Sequence, residues 1–534
     1  MNHPASISFL AFVAALPLVS TLSAQTAIPT ANSRYTANDP GSYVLAAGQT
    51  KTVAGADEAI RIANSGVAGT YDFTINGSVI QSGTGRGIRT GTATGITYNL
   101  TVASGGLVQA YNDDAVQARA GIFNVVNNGT IYAGTNISVT PSSPLAGGQA
   151  LDLTSATGGT VVNNATGLIR ADGHDAVRLG SNMTFTNHGT VNGAGVVNDS
   201  SSNNFLNTAP ANTSVAETYS ATDGVSFEDG SGSSLVNHGM ITGARHGVEA
   251  GLAATGVTIT NQSAGQIIGS NGSGVGFDTL ETDAAKIVVN NHGLIRGDYA
   301  GVGNIVDRTG SASLYHDGDG DGVDIDGAAT INNYSTGSIL STGAGGLDSN
   351  GRANNSEAIS IGGGVIVNDG LIRGADRAII VNNDSVASRS GYVATTITNN
   401  ATGTIEGLNG FAIRLENKHG DARDNDTIVN HGTIIGRGTI PDPDATVTIQ
   451  GGGTDAHSVG TLDGVTYTGT GVARFVRGDG SAIQMGEGND VLTNTGNIIG
   501  YTGRAINMEG GNDTVNFNAG TITGDIDGGT GTDT

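Results

Sequence analysis

Short stretches in which apolar and polar residues alternate recur along most of the chain. A representative stretch is Phe185-Thr186-Asn187-His188-Gly189-Thr190-Val191. Alternation with a period of two is typical of a β-strand that buries one face. Asn and Gly supply the backbone conformations that a sharp turn needs. The pattern therefore predicts many short strands separated by tight turns.

The same template returns at intervals much shorter than a domain. Asn163 and Asn187, for example, are 24 residues apart. A second element lies between the copies, and in it a polar residue precedes Ala and a short apolar strand, as in Asp175-Ala176-Val177 and Arg504-Ala505-Ile506. Each repeat therefore contains about three short strands. The turn Asn residues of the template are Asn127, Asn163, Asn187, Asn237, Asn261, Asn290, Asn332, Asn368, Asn399, Asn430 and Asn494.

Three short strands in a repeat of about 24 residues predict one triangular coil of a parallel β-helix, or β-solenoid. The chain is thus expected to be all-β, with about 14 to 18 coils stacked about 4.8 Å apart in a rod of roughly 70 to 85 Å. Val, Ile and Leu should point inward, and Asn side chains at equivalent corners should stack into a hydrogen-bonded ladder. A β-propeller is disfavoured, because its blades need about 40 residues and aromatic landmarks, whereas 4% of this chain is aromatic.

Composition excludes several classes of function. The 534 residues include 87 Gly and no Cys, and the formal net charge is -24. With so few Lys and Arg the chain offers no surface for nucleic acid. Stability without disulfides requires a long continuous core, which a solenoid provides.

The chain divides into an expected signal and a long repetitive region. Residues 1–24 have a short apolar run ending in Ser-Ala, which is typical of a secretory signal peptide. Residues 25–70 are expected to form an N-terminal cap with the first coils, and 71–534 the repetitive β-helix. Intervals longer than one coil predict loop insertions near 192–233, 301–326 and 437–490. If the chain binds something specific, such loops are the first place to expect it, and the competing interpretation is plain surface decoration.

The repeats resemble a known class of exported protein. The Asn-x-Gly-x-Ile-x-Gly units, the Arg-Ala-Ile partners and the closing Gly510-Gly511-Asn512-Asp513-Thr514-Val515-Asn516 resemble the passenger region of Gram-negative autotransporters, which use type V secretion. The resemblance covers nearly all of the chain after residue 24. It implies a right-handed parallel β-helix that an outer-membrane translocator barrel delivers to the cell surface, and it leads us to expect that barrel in a longer natural chain.

The expected function follows from this resemblance. It is that of a secreted or surface-displayed, non-enzymatic rod with a role in adhesion, biofilm or surface structure. Expected partners are a host-cell, matrix or polysaccharide surface, or like chains. The alternative is a secreted carbohydrate-active β-helix enzyme, a polysaccharide lyase or glycoside hydrolase.

One acidic segment is a candidate cation site. Asp317, Asp319, Asp321, Asp324 and Asp326 alternate with Gly and apolar residues, and oxygen ligands in this pattern suit Ca²⁺. The competing interpretation is an acidic corner before a strand beginning at Val323, with Asp324 and Asp326 pointing outward. The Gly-Asn-Asp turns at 486–490 and 510–513 are a second, weaker candidate. No cofactor is expected to be required, with Ca²⁺ as the one candidate.

Two recurring motifs are interpreted as features of the repeat. His188, His238, His292 and His431 share one template position, and this repetition favours a structural role over catalysis. Arg-Gly-Asp occurs at 296–298 and 477–479, where receptor binding is a weaker alternative to a turn that the repeat itself generates.

The enzyme alternative depends on paired carboxylates. Asp113 and Asp114 are adjacent, and His174-Asp175 follows some 60 residues later. Glycoside hydrolysis needs such carboxylate pairs. The competing interpretation assigns Asp113 and Asp114 to an exposed corner.

Overall fold

The computed structural model describes most of the chain after residue 24. The described residues are 25–62, 66–134, 148–194, 222–270, 272–298, 320–342, 356–382, 393–408, 410–416, 421–438 and 481–534, together with the backbone of four short strands at 305–306, 312–313, 461–462 and 465–466. The expected signal peptide, residues 1–24, lies outside them.

Three parallel ladders of strands run along the molecule, and we name them faces A, B and C. Face A comprises Thr26–Ala27, Gly41–Leu45, Gly69–Ile75, Ile96–Val102, Ile122–Asn127, Gly159–Asn163, Met183–Asn187, Ser234–Asn237, Val257–Asn261, Ile287–Asn291, Ala329–Asn333, Gly364–Asn368, Thr395–Asn399, Thr427–Asn430, Val491–Asn494 and Thr514–Phe517. Face B comprises Thr50–Val53, Ser78–Gln81, Leu107–Ala110, Thr130–Ala133, Leu168–Ala171, Thr190–Gly193, Met240–Gly243, Gln266–Gly269, Leu294–Asp298, Ser338–Thr342, Leu371–Gly374, Thr404–Gly407 and Thr433–Gly436. Face C comprises Tyr35–Ala37, Ile60–Ile62, Ile88–Thr90, Val116–Gln117, Leu151–Asp152, Val177–Arg178, Val225–Ser226, Val248–Ala250, Val275–Phe277, Val323–Ile325, Ile359–Ile361, Ile379–Asn382, Ile413–Glu416 and Ile483–Gln484.

Faces B and C are continuous at one end of the molecule. The long strand Asn497–Asn507 pairs with the last strands of both ladders, and Thr521–Asp527 pairs with it in turn. Away from the ladders, Ile305–Val306 pairs antiparallel with Ala312–Ser313, and Thr461–Leu462 pairs with Val465–Thr466. A short 3-10 helix spans Ala422–Asp424.

The predicted parallel β-helix is confirmed. In the described residues face A contains 16 strands in one parallel ladder, which corresponds to a rod about 75 Å long at about 4.8 Å per coil. Alternation sets the core: in Ile96–Val102 the side chains of Ile96, Tyr98, Leu100 and Val102 are buried, and those between them face outward. The polar residue before Ala in the second repeat element stands at the corner where face B turns into face C.

A ladder of buried Asn side chains follows the corner where face A turns into face B. Each Asn Nδ2 donates to the Oδ1 of the equivalent Asn in the next coil at 2.7–2.9 Å, and every member is at most 1% exposed. The predicted ladder is therefore present. Its members are Asn127, Asn163, Asn187, Asn237, Asn261, Asn291, Asn333, Asn368, Asn399, Asn430 and Asn494.

Two members of the ladder differ from the sequence prediction. Asn291 and Asn333, and not Asn290 and Asn332, occupy the buried position. Asn290 and Asn332 point outward and bond each other at 2.9 Å. In each of these two Asn-Asn pairs the alternation of the preceding strand decides which residue faces inward. The inward residue is the second of the pair, one position after the residue that the template predicts.

The Asn ladder has defined ends. In the coil before Asn127 the equivalent residue is Val102, so no Asn side chain precedes Asn127. After Asn494 the equivalent residue is Phe517, which is 55% exposed. Within the ladder each amide also bonds the turn backbone, so one side chain satisfies groups from two coils.

The expected insertions fall largely outside the described residues. Residues 195–221, most of 299–319 and most of 439–480 lie outside them, and each of these three stretches lies between a face B strand and a face C strand in the chain. On both sides of each stretch the ladders keep their register, as between Met183–Asn187 and Ser234–Asn237. The described residues on either side of each stretch therefore belong to one continuous stack.

Lys51 closes the N-terminal end of the described rod. Its side chain is fully buried, and Nζ donates to the carbonyl oxygens of Pro29, Ala31 and Ser33 at 2.7–3.2 Å. Burial lowers the pKa of Lys51. The ammonium thus holds residues 29–33 across the end of the first coils and satisfies carbonyls that have no strand to pair with.

Replacing Lys51 by Met should loosen this end of the rod. We expect a loss of about 2 kcal/mol of unfolding free energy, because three hydrogen bonds from a charged donor to carbonyl oxygens disappear. The loss should be accompanied by faster amide exchange in residues 26–45. The exposed Lys286 provides the matched control, and Lys286→Met should change neither quantity. Equal effects of the two substitutions would contradict the role of Lys51.

Candidate functional site

Charged and polar side chains gather along the corner between faces B and C, and we call this group the B–C cluster. It spans several successive coils on one side of the rod. Its members are Arg86, Asp113, Asp114, Gln117, Gln149, Asp152, Asp175, Arg178, Asp223, Ser226, Glu228, Arg245, His246 and Glu249.

The repeat itself brings these side chains together. The residue before each Ala or Gly of the face C element stands at the corner, and its side chain accepts a hydrogen bond from the backbone N–H of the equivalent residue in the next coil. Asp175 Oδ1 accepts from the N–H of Asp223 at 2.9 Å, and Asp223 Oδ1 accepts from that of His246 at 3.0 Å. His246 Nδ1 in turn accepts from Ser273 at 2.8 Å. Each corner side chain thus satisfies backbone groups where the chain turns.

At one end of the cluster two carboxylates share an amide. Gln117 Nε2 donates to Asp114 at 3.1 Å and to Asp152 at 2.9 Å. Arg86 pairs with Asp113 at 3.1 Å and with Asp114 at 3.0 Å. Asp114 is 3% exposed, so its assignment to an exposed corner is wrong, because the next coil covers it.

Ion pairs, each with at least one half-buried partner, continue the cluster across the next coils. Arg178 contacts Asp175 at 2.6 Å and Glu228 at 2.8 Å. Arg245 binds Asp223 through two nitrogens, at 3.1 and 2.7 Å. Because Asp223 is 2% exposed, its charge depends on this bidentate partner.

The surroundings of these carboxyl groups give them different pKa values. Burial, with Asp152 and Asp113 nearby, raises the pKa of Asp114 to about 7. Burial, reinforced by Asp223, raises the pKa of Asp175 to about 6 and that of Glu249 to about 8. Burial also acts on Asp223, but Arg245 outweighs it and lowers the pKa.

Two histidines near the cluster are held neutral. Burial, with Arg178 nearby, lowers the pKa of His174 to about 4. Burial, with Arg245 nearby, does the same for His246. A carboxyl group that retains its proton near neutral pH, beside ionised carboxylates, is able to act as a general acid. The B–C cluster therefore has the elements of acid–base chemistry as well as a structural role.

Stability should fall as the pH rises from 7.5 to 9. Over this range the histidines are largely neutral in both states, whereas the folded protein keeps protons on Glu249 and Asp490, whose pKa values are raised to about 8 and about 9. The folded state then binds more protons than the unfolded state, so the unfolding free energy decreases with pH. Thermal unfolding at pH 7.5 and pH 9 measures this. Glu249→Gln should flatten the dependence, and a rise in stability with pH would contradict it.

The first candidate cation site is only partly described. Asp317 and Asp319 lie outside the described residues. Asp321 is 1% exposed and accepts a hydrogen bond from the N–H of Glu357 at 2.6 Å, as a corner residue does. Asp324 faces outward in Val323–Ile325 and Asp326 follows that strand, so both positions agree with the acidic-corner interpretation. Among the described residues no three acidic or His side chains are grouped closely enough to share a metal ion.

The recurring His residues form an outer column beside the Asn ladder. The rings of His188 and His238 stack at 4.5 Å, and His292 stacks on Tyr334 at 3.9 Å. His431 Nδ1 lies 2.6 Å from Thr495 Oγ1. These contacts join neighbouring coils, as a structural role requires.

The described Arg-Gly-Asp sequence pairs with itself. Arg296 Nη2 donates to Asp298 Oδ2 at 2.7 Å, so the two charges largely satisfy each other. The second copy, 477–479, lies outside the described residues.

Comparison with known proteins adds no family assignment. No family model, curated protein or solved structure matches this chain significantly. The described residues contain no helix with the length and apolar character needed to cross a membrane.

Proposed function

We propose that this chain is a β-helical passenger of an autotransporter-like protein, displayed at the surface of a Gram-negative bacterium or secreted from it. Its role is non-enzymatic, in adhesion, biofilm formation or surface structure. The observation that carries the proposal is the unbroken register of face A, whose 16 strands in the described residues stack as one ladder. The sequence resemblance of the repeats supports it.

Face A offers a repeated, weakly charged surface. Its outward positions are occupied mainly by Thr, Asn and Val, as in Thr184, Ser234 and Thr258, which follow one another across coils. Asn124 bonds Asn99 at 2.9 Å and Asn99 bonds Asp72 at 2.7 Å along the same face. A surface of this kind suits many weak contacts with a matrix, a host-cell surface, a polysaccharide or a like chain, and multivalency raises their combined affinity.

Export and adhesion test this function. Expression of the full gene in a Gram-negative host should make the rod accessible to antibody and to added protease on intact cells. Cells carrying the gene should bind a matrix or form biofilm better than cells carrying a deletion of it. Retention inside the cell, or unchanged adhesion in the deletion strain, would contradict the proposal.

A carbohydrate-active enzyme is the second candidate, and one observation favours it. Asp113, Asp114 and Asp152 converge at one end of the B–C cluster, and Asp114 has the raised pKa of a general acid. Paired carboxylates with separated pKa values are used in glycoside hydrolysis.

Activity assays distinguish this candidate from a structural rod. If the enzyme is correct, the protein should release reducing or unsaturated sugars from acidic or neutral polysaccharides, and Asp114→Asn and Asp152→Asn should each abolish the release. Asp72→Asn, on face A, is the control. No release from a broad polysaccharide panel would remove the enzyme from consideration.

A further inference from the structure

A column of Asp side chains lies at the corner where face C turns into face A, in the last described coils. Asp426, Asp490, Asp513 and Asp533 occupy equivalent positions in successive coils. The N–H of Asp426 donates to Asp490 Oδ1 at 2.7 Å, that of Asp490 to Asp513 Oδ1 at 2.8 Å, and that of Asp513 to Asp533 Oδ1 at 3.1 Å. The N–H of Thr395 begins the column by donating to Asp426 Oδ1 at 2.6 Å. One oxygen of each carboxyl group therefore accepts a backbone hydrogen bond from the preceding coil.

The second oxygens of the two central carboxyl groups have no hydrogen-bond partner among the described residues. Asp490 and Asp513 are 0% and 1% exposed, and within that part of the chain their Oδ2 atoms make no hydrogen bond. The hydroxyl of Thr395, at the start of the column, is also buried without a hydrogen bond to a described residue. A buried polar atom without a partner is costly. Such an oxygen is able to coordinate a cation.

None of the main causes that set the pKa of Asp490 among the described residues is a positively charged side chain. Burial is the main cause that raises its pKa, and the charged groups that raise it further are Asp426, Asp513 and Asp424. The pKa of Asp513 is raised by burial, with Asp533 and Glu487 adding to it. Burial also raises the pKa of Asp376, another buried carboxyl group, but there Arg377 and Arg414 act against the rise.

Glycine keeps backbone oxygens close to this column. Gly488 and Gly511 have φ of 139° and 145°. A Cβ on Gly511 would lie 1.4 Å from the carbonyl oxygen of Gly488 and 3.2 Å from Asp513 Oδ1. A side chain at position 511 would therefore collide with the Gly488 carbonyl, so glycine is required where this carbonyl lies near the column.

We propose that this column binds Ca²⁺ between the unpartnered oxygens of Asp490 and Asp513, with backbone carbonyls and water as the other ligands. Equivalent atoms in stacked coils are about 4.8 Å apart, which is twice a Ca²⁺–oxygen distance of about 2.4 Å. An ion midway between two coils can therefore reach a carboxylate oxygen from each. The site needs only two carboxylates, and it is separate from Asp317–326.

The coil spacing also sets the selectivity. Mg²⁺ binds oxygen at about 2.0 to 2.1 Å and requires near-octahedral geometry. It is too small to bridge oxygens held about 4.8 Å apart by the strand spacing. A proton on one carboxyl oxygen cannot link the two carboxyl groups either, because an O–H···O hydrogen bond requires oxygens about 2.5 to 3.0 Å apart. Ca²⁺ is therefore the expected ligand, and Mg²⁺ should compete poorly.

Calorimetric titration and thermal unfolding of the full chain with CaCl₂ test the site. Wild-type protein freed of metal by chelation should bind Ca²⁺ and melt several degrees higher when it is saturated. Asp490→Asn and Asp513→Asn should each weaken binding at least about tenfold. Without Ca²⁺ both variants should melt no lower than wild type, because the Asn amide keeps an oxygen that can accept the backbone hydrogen bond and places no charge in the buried column. MgCl₂ at the same concentration should give no comparable shift.

Asp376→Asn is the matched control, since it also removes a buried carboxylate but one with Arg neighbours. It should bind Ca²⁺ as wild type does. Absence of Ca²⁺ binding to wild-type protein would overturn the proposal even if a variant failed to fold. Unchanged Ca²⁺ binding in folded Asp490→Asn and Asp513→Asn would also overturn it and direct attention to the segment 317–326.

Discussion

Replacing Asn291 by Ala should lower the unfolding free energy by about 3 to 5 kcal/mol. Asn291 lies in the middle of the Asn ladder. Its Nδ2 donates to Asn333 at 2.9 Å and to the carbonyls of Gly293 and Ser338, and its Oδ1 accepts from Asn261 at 2.9 Å and from the N–H of Gly293. The substitution therefore leaves buried groups in three coils without partners. Equilibrium denaturation measures the loss.

Two controls separate the ladder from general effects of Asn. Asn290→Ala removes the neighbouring outward side chain, whose Oδ1 accepts a hydrogen bond from Asn332, and should cost less than about 1 kcal/mol. Asn127→Ala acts at the ladder end, where no earlier Asn loses its acceptor, so its effect should be intermediate. Equal losses for Asn290→Ala and Asn291→Ala would contradict the ladder's contribution.

Arg245→Met should have an effect of similar size, about 3 to 5 kcal/mol near neutral pH. The substitution removes both hydrogen bonds to Asp223 and leaves a carboxylate buried without its cation. Asp223 would then need to take up a proton to remain folded. The loss should therefore become smaller as the pH falls, and chemical unfolding at two pH values measures this.

A double-mutant cycle tests whether the cost is that of an unpaired charge. Asp223→Asn combined with Arg245→Met should recover much of the stability lost by Arg245→Met alone. Arg423→Met is the surface control, because Arg423 and Asp421 are both about half exposed, and it should have little effect. Failure of Asp223→Asn to rescue Arg245→Met would show that packing dominates.

The architecture could be predicted because the relevant signals are local. Each coil repeats the same alternation and the same Asn and Gly turns, so the strand positions, the three faces and the Asn ladder follow from a few residues at a time. The error at Asn290 and Asn332 was one of register. In an Asn-Asn pair the sequence alone permits either residue to face inward, and stacking on Asn261 selects Asn291.

The ionic B–C cluster could not be predicted in the same way. Its partners come from different coils, and the separation in sequence of the corner pairs varies, from 23 residues between Asp223 and His246 to 48 between Asp175 and Asp223. Insertions set these separations, so no fixed spacing marks the pairs. The signal that was present in the sequence is the polar residue before each Ala or Gly of the second element, which marks the corner column.

Lys51 was also missed as a structural residue. Lys51 does not recur at an equivalent position of other repeats, so no sequence pattern marks it. Its role depends on the path of residues 29–33 across the end of the rod. The Asp column at the last coils was visible only as Gly-Asn-Asp turns. The unpartnered oxygens of Asp490 and Asp513 emerge only when the coils are stacked.

The central claim is that coils stack in register as one rod even where insertions separate them in sequence. Because the chain has no Cys, paired Cys substitutions test it cleanly. Thr186 and Val236 are register partners on the outer side of face A, on either side of 195–221. Val236 pairs in turn with Thr260, so Thr186 and Thr260 are two coils apart on the same face.

Oxidation of Thr186→Cys/Val236→Cys should form an intramolecular disulfide in the folded protein, because neighbouring parallel strands are about 4.8 Å apart. Thr186→Cys/Thr260→Cys should form none, since two coil spacings exceed the reach of a disulfide. Formation in the first pair alone would support the stacked rod. Failure of the first pair, or equal formation in both, would contradict it.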